Sequence, residues 1–80
     1  MFRVLLADDE KMVLLSTEKT FPFSEYGMTV AARVFDSFEA LRLLEESAFD
    51  AALIDIRMPG LSGIDIISEC RRRNIDTEFI

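Results

Sequence analysis

The 80-residue chain has no histidine, no tryptophan and only one cysteine, Cys70. Without histidine, it cannot contain a Ser-His-Asp or Cys-His catalytic centre. A single cysteine forms neither an internal disulfide nor a thiolate zinc site, so we expect Cys70 to be a reduced thiol packed on a helix. With only three glycines and no G-x-G-x-x-G motif after the first apolar run, the sequence also excludes a dinucleotide-binding loop.

Long apolar runs and an excess of positive charge are missing too. No segment approaches the roughly 20 apolar residues that span a bilayer, and Met1-Phe2-Arg3 does not begin a signal peptide. The formal net charge of −6 disfavours direct contact with nucleic acid or with an anionic membrane. We therefore expect a cytoplasmic segment. Because 50% of the residues are hydrophobic, we expect residues 1–80 to form one small folded domain.

Short apolar runs alternate with helical segments along the chain. The predicted strands are Phe2–Ala7, Thr29–Phe35, Ala51–Ile54 and a fourth that begins at Glu78–Ile80. The predicted helices are Lys11–Phe21, a second that is capped by Asp36 or Ser37 and runs to about Ser47, and Ser62–Arg73. This alternation predicts an α/β fold whose parallel strands are joined by right-handed crossovers.

Two helix faces are expected to pack on the sheet. The apolar residues at helical spacing are Leu41, Leu44 and Ala48 in the second helix, and Ile64, Ile67 and Cys70 in the third. Capping boxes are predicted from Asp36 to Glu39 and from Ser62 to Asp65.

Three aspartates follow the ends of two predicted strands. Asp8 and Asp9 come directly after the first strand, and Asp55 comes directly after the third. Ligands of open parallel sheets bind beyond the carboxyl ends of the strands, where the strand order reverses, so we expect the three carboxylates to meet there. Such a cluster needs a proton or a cation, and oxygen ligands suit Mg²⁺. The simpler alternative is that Asp8 and Asp9 cap a helix and Asp55 forms a turn.

The loop after Asp55 supports a metal site. Pro59 fixes its own backbone conformation, and Gly60 permits conformations that other residues resist. Such a turn can aim the main-chain carbonyl of Arg57 at a metal ion. Beside that ion, Asp55 would be a carboxylate nucleophile for a phosphoryl group.

The segments VLLADDE and LIDIRMPGLSGIDII, with the spacing between them, resemble the receiver domain of two-component response regulators. The resemblance covers the whole chain. It implies a doubly wound, flavodoxin-like parallel sheet with strand order 2-1-3-4-5, in a signalling domain that is not an enzyme. The stretch SEYGMTVAARVFDSFEALRLLEE is more similar to receivers attached to AraC-type helix-turn-helix domains, which implies that the parent protein regulates transcription.

The resemblance also implies a role for each residue of the acidic site. Asp55 matches the phosphoacceptor, which takes a phosphoryl group from a sensor histidine kinase. Asp9 and Asp55 match direct Mg²⁺ ligands, and Asp8 matches the acid that holds the metal through water. Arg57 matches the position whose main-chain carbonyl ligates the metal.

The chain departs from the family pattern in length. The sequence stops as the fourth strand begins, so we expect a truncated receiver domain. It would lack the hydroxyl residue that the family has at the end of strand four and the lysine at the end of strand five. The third strand would then present an open apolar edge, which predicts self-association through that edge.

Two other functions are kept as alternatives. Haloacid-dehalogenase-like phosphatases also place a nucleophilic aspartate after a strand, with a general acid two residues later. This chain has Arg57 at that position, and arginine does not donate a proton at neutral pH. The other alternative is a receiver-like interaction module that is not phosphorylated in this truncated form. The three acids argue against it for the parent protein, and it stays open for the 80-residue chain.

Overall fold

The computed structural model describes all 80 residues and consists of one four-stranded sheet and three α-helices. The strands, β1 to β4 in chain order, are Phe2–Ala7, Met28–Val34, Ala51–Ile54 and Glu78–Phe79. The helices, α1 to α3, are Lys11–Thr20, Ser37–Glu46 and Gly63–Arg72. A single 3₁₀ turn, Phe23–Tyr26, connects α1 to β2 and ends at Gly27 in the left-handed conformation. None of the helices is long and apolar enough to cross a membrane.

The sheet has the order β2-β1-β3-β4, and all of its strands are parallel. This confirms the predicted doubly wound α/β fold. The chain leaves β1 to one side to form β2 and returns to the other side to form β3, so the direction of winding reverses at the β1–β3 pair. Ala7, the last residue of β1, pairs with Val34 on one side and with Ile54 on the other.

Both faces of β1 are buried from Val4 to Ala7, which explains the unbroken apolar run of these four residues. Leu5 and Ala7 belong to the larger core cluster, which contains side chains of α2 and α3. Val4 and Leu6 belong to a smaller cluster with Leu14 of α1. Alternate residues of a strand point to opposite faces, so β1 contributes side chains to the core clusters on both faces of the sheet.

Helix α1 is also tied to the sheet by charge. Glu18 forms a bidentate ion pair with Arg33 of β2. This hydrogen bonding lowers the pKa of Glu18 and raises that of Arg33. Because both side chains are partly exposed, the pair contributes less than about 1 kcal/mol to stability.

The predicted strand and helix boundaries agree closely with the structure. β1 and β3 have the predicted bounds, whereas β2 begins and ends one residue earlier than predicted. Ser62 and Asp65 form the predicted capping box of α3. Asp36, and not Ser37, caps α2 by accepting a hydrogen bond from the amide of Glu39 at 2.9 Å, without the return bond of a full capping box.

Two predictions about the inward helix faces are wrong. Ile64 is 63% exposed, and the buried residues of α3 are Gly63, Ile66 and Cys70. Cys70 of the predicted stripe is buried as expected and Ile67 is half-buried, so the error lies at the start of the helix, where Gly63 and not Ile64 faces inward.

Ala48 does not face the sheet either, whereas Leu44 of the same predicted stripe is buried as expected. The extended backbone of Ser47 (φ −130°, ψ 153°) ends α2, so the helical spacing no longer applies at residue 48. Ser37, Ala40 and Phe49 are the other buried residues of this segment.

Candidate metal centre

The backbone pairing of the sheet continues one residue beyond β1 and β3, into the aspartates. The amide of Asp55 donates to the carbonyl of Ala7 at 2.9 Å, and the amide of Asp8 donates to the carbonyl of Val34 at 3.2 Å. Asp8 and Asp55 are therefore held by the sheet itself, side by side at its carboxyl edge.

Three carboxylates converge at this edge, as the sequence predicts. One oxygen atom from each of Asp8, Asp9 and Asp55 lies within 4.8 Å of the other two. Asp8 and Asp55 are half-buried, and Asp9 is exposed to solvent. These three residues are called the acid cluster below.

Local hydrogen bonds orient two members of the acid cluster. Oδ1 of Asp8 accepts from the amide of Glu10 at 2.9 Å, and Oδ1 of Asp55 accepts from the amide of Arg57 at 3.1 Å. Each bond fixes the side chain relative to its own loop and leaves the second oxygen without a hydrogen bond from the protein. Each of these two carboxylates therefore has an oxygen available as a ligand.

These contacts also decide the simpler alternatives. Glu10 is the residue at the N-cap position of α1, and no side chain caps that helix, so Asp8 and Asp9 are not its caps. Asp55 does form a local turn through Arg57, but it also belongs to the acid cluster. Turn formation and ligation are compatible, because a carboxylate has about four acceptor sites and the turn uses one of them.

No basic side chain neutralises the acid cluster. The ion pairs of the structure involve arginines and glutamates only, and none includes Asp8, Asp9 or Asp55. Two unit charges about 4 Å apart repel by about 4 kcal/mol at an effective dielectric constant near 20, so a bound cation would relieve a repulsion that the protein leaves uncompensated.

The geometry fits a small, hard divalent ion. Oxygen atoms that share one Mg²⁺, each about 2.1 Å from it, lie roughly 3 to 4 Å apart. The carboxylate oxygens of the acid cluster lie within 4.8 Å of one another, close to this range. An all-oxygen donor set without nitrogen or sulfur favours Mg²⁺ over zinc.

The loop from Asp55 to Ser62 is packed closely on two helices. An ideal Cβ at Gly63 would lie 3.0 Å from the Cα of Ile56 and 3.2 Å from the carbonyl oxygen of Asp55. The amide of Gly63 donates to the carbonyl of Ile56 at 3.0 Å. Glycine therefore allows the start of α3 to approach the backbone next to the acid cluster.

On its other side, this loop contacts α2 through a residue to which the sequence assigns no role beyond a possible cap. Ser37 is fully buried, and its hydroxyl bonds to the backbone of Pro59 and of Leu61. Arg57, between these anchors and Asp55, is exposed. The role of the Arg57 main-chain carbonyl as a metal ligand stays a prediction. The contact that the structure shows between Arg57 and the acid cluster is made by its amide, which donates to Oδ1 of Asp55.

A cavity of about 210 Å³ opens beside the acid cluster, between β1, β3 and α1. Asp8 and Asp55 form its polar end, and Leu6, Leu14 and Leu53 are among its apolar lining residues. The acids therefore lie at the boundary between solvent and an apolar surface, where the effective dielectric constant is lower than in water.

Cys70 lies outside this site. It is fully buried in α3, and burial raises the pKa of its thiol. This confirms the prediction of a buried structural thiol on a helix.

Comparison with known proteins gives a consistent result. The profile of the response regulator receiver domain matches residues 4–80. A protein from Staphylococcus epidermidis, described as an uncharacterized response regulatory protein, is 31% identical over all 80 residues. The transcriptional regulatory protein HptR of Staphylococcus aureus is 29% identical over 69 residues, or 86% of the chain. The chain spans 31% and 27% of the lengths of these two relatives.

Solved structures show the same fold. The receiver domain of the Francisella response regulator 1452 is 34% identical and has a TM-score of 0.84, with 99% of this chain and 63% of that chain covered. The REC domain of AraT, a response regulator from Geobacillus stearothermophilus, is 28% identical and has a TM-score of 0.83, with 98% and 62% covered. From the profile match and these similarities, we conclude that the chain belongs to the response regulator receiver domain family.

Proposed function

We propose that this chain is a phosphoacceptor signalling segment in which Asp55 accepts a phosphoryl group from a sensor histidine kinase, with Mg²⁺ as cofactor. The observation that carries the proposal is the acid cluster, where three carboxylates converge without a basic partner. Membership of the receiver family supports the same function. A signalling domain of this kind is not classed as an enzyme.

The residues that would hold Mg²⁺ are Asp9 and Asp55 directly, Asp8 through water, and the main-chain carbonyl of Arg57. When bound, the ion would neutralise negative charge on the phosphoryl oxygens. The unpaired oxygens of Asp8 and Asp55 support this assignment, because each carboxylate keeps one oxygen free of protein hydrogen bonds while its Oδ1 accepts from a backbone amide.

In the proposed transfer, the carboxylate oxygen of Asp55 that does not bind the metal attacks the phosphorus of a phosphohistidine. A new O–P bond forms as the N–P bond breaks, and the electron pair of the broken bond returns to the imidazole nitrogen of the kinase. The product is an acyl phosphate on Asp55. The bond from the amide of Arg57 to Oδ1 keeps the attacking carboxylate in one orientation, which lowers the entropic part of the barrier.

The direct test is incubation of the intact protein with a small acyl phosphate, with and without Mg²⁺, followed by mass spectrometry. We expect one phosphoryl group to be added only with Mg²⁺, and none in Asp55→Asn. Asp50→Asn is the matched control, because Asp50 precedes the same strand at the opposite edge of the sheet. Equal labelling of Asp55→Asn and the parent would show that Asp55 is not the acceptor.

If the unsubstituted intact protein is not phosphorylated with Mg²⁺ present, the interaction-module alternative is favoured. That function requires binding to a partner without phosphoryl transfer. Binding to a kinase that is unaffected by Mg²⁺ and by Asp55→Asn would therefore replace the phosphoacceptor proposal.

The role of the whole protein is a further proposal. One relative is described as a transcriptional regulatory protein, and this chain corresponds to less than a third of its length. We propose that the parent protein regulates transcription in the cytoplasm, through an output domain of the AraC type. The acidic charge of the chain supports DNA contact by that output domain and not by residues 1–80.

We also propose that the 80-residue chain associates with itself through the β3 edge. β4 pairs only with Ala51 and Ala52, so Leu53 and Ile54 are paired on the β1 side alone. Unpaired backbone groups next to apolar side chains favour pairing with another chain.

A further inference from the structure

The hydroxyl of Ser37 connects two parts of the chain that are distant in sequence. It donates to the carbonyl of Pro59 at 2.8 Å and accepts from the amide of Leu61 at 2.8 Å. Ser37 is completely buried, so solvent cannot replace either bond without rearrangement. One side chain therefore satisfies both backbone groups that flank Gly60.

The loop is shaped to receive this hydroxyl. Gly60 has a φ of +88°, and an ideal Cβ there would lie 2.9 Å from the Ser37 hydroxyl oxygen and 2.6 Å from Cε2 of Phe38. Gly60 lies between the two residues that bond to Ser37, and because it has no side chain the loop can touch the start of α2. Asp36 supplies the cap of α2, so the Ser37 hydroxyl is not needed for capping.

Arg57 lies between two fixed points of the backbone. On one side, Asp55 is bonded to the sheet through Ala7. On the other side, Met58 is buried in the core and Pro59 is bonded to Ser37. The position of the segment that carries the Arg57 carbonyl therefore depends on the contact with Ser37.

From this geometry we propose that Ser37 is a positioning residue for the metal centre: its two hydrogen bonds fix the Asp55 loop so that the carboxylate and the Arg57 carbonyl share one ion. The inference rests on the proposed function of Asp55. It adds a residue from another element, 18 positions earlier in the sequence, that contacts neither the ion nor the phosphoryl group.

The test is the Mg²⁺ affinity of folded Ser37→Ala, measured by isothermal titration calorimetry with the metal alone. Replacing a group that orients a ligand typically weakens metal binding by about 10- to 100-fold, and we expect a loss near the lower limit. Affinity of the folded state is the readout, because a loss of global stability alone does not change it.

Thr77→Val is the matched control. Thr77 is also a buried hydroxyl residue, and it donates one bond to the carbonyl of Phe49 at 3.0 Å. Thr77 precedes β4 and Phe49 precedes β3, so this bond lies at the amino ends of the strands, whereas the acid cluster lies at their carboxyl ends. We expect the control to lower stability while its Mg²⁺ dissociation constant equals that of the parent.

Each outcome decides the question. Equal Mg²⁺ affinity of folded Ser37→Ala and the parent would overturn the role of Ser37 and leave the proposed function intact. Absence of Mg²⁺ binding by the parent would overturn both. If Ser37→Ala does not fold, Ser37→Gly removes the same hydroxyl and leaves room for a bridging water, and the same comparison is made with that variant.

Discussion

The backbone amide of Asp55 donates to the carbonyl of Ala7 at 2.9 Å, so the pairing of β1 with β3 reaches the acid cluster. Ala7 pairs with Ile54, and the next residues in this register are Asp8 and Asp55. The approach of these two carboxylates is therefore a property of the sheet. A slip of one residue would separate them and would also turn the apolar side chains of β3 to the wrong faces.

Mg²⁺ should stabilise the protein through the acid cluster. At 100 times its dissociation constant, a ligand of the native state raises the free energy of unfolding by about 2.7 kcal/mol. We expect Asp9→Asn to lose most of this gain. Without Mg²⁺, the same variant should be slightly more stable than the parent, because one like charge is removed.

Urea unfolding with Mg²⁺ and with a chelator measures both effects. Asp76→Asn is the control, since Asp76 is an exposed acid that precedes β4 at the opposite edge of the sheet. An equal Mg²⁺ effect in the parent and in Asp9→Asn would contradict this assignment of ligands.

Gly60→Ala should destabilise the protein more than Gly27→Ala. Both glycines have positive φ, +88° and +71°, so alanine is strained at either position by about 1 kcal/mol or more. Only at Gly60 would the new Cβ also collide with neighbouring atoms, of Phe38 and Ser37. Thermal unfolding of the two variants gives the comparison, and equal losses of stability would show that the contact between the loop and α2 is not tight.

Stability should decrease in alkaline solution because of Cys70. Burial raises the pKa of its thiol in the native state. The native state then binds the proton more tightly, so its stabilising effect is complete below the unfolded pKa of about 8.5 and is lost as the pH rises through the native value. We expect the unfolding free energy of the parent to fall more steeply above about pH 8.5 than that of Cys70→Ala. Parallel curves for the two proteins would refute this.

The 80-residue chain should form larger species as its concentration rises, through the β3 edge. Sedimentation velocity over a dilution series measures this, and a monomer at every concentration would rule out the proposed association. Ile80→Lys is the informative variant, since Ile80 is 69% exposed and its amide bonds to Ala52 beside this edge. A charge there should weaken edge pairing without disturbing the core.

The strands and the acid cluster were predictable because they depend on short-range patterns. An unbroken apolar run marks a strand that is buried on both faces, as in β1 and β3. An acid directly after such a run must lie at the carboxyl edge of a parallel sheet. Two runs of this kind are therefore enough to predict that Asp8, Asp9 and Asp55 come together, as they do.

The contacts of Ser37 and Gly63 were not predictable in this way. Either Asp36 or Ser37 could cap α2 by local rules, and the choice depends on bonds to Pro59 and Leu61, more than 20 residues away. At the start of α3, apolar spacing alone favoured Ile64 as an inward residue. The close approach of Gly63 to the backbone of Ile56 decides the orientation of the helix, and a pattern of side chains carries no signal for it.

The packing of Gly63 on this backbone has a consequence for a library that randomises every position and is sorted for folded protein. Position 63 should favour glycine, because even a methyl group would lie 3.0 Å from the Cα of Ile56 and 3.2 Å from the carbonyl oxygen of Asp55, so that main-chain atoms would have to shift. The adjacent position 64 should accept nearly every amino acid, since its side chain is mostly in solvent. Two adjacent positions of one helical turn would thus differ in their tolerance of substitution, and the less tolerant one would be position 63, which carries the smaller residue.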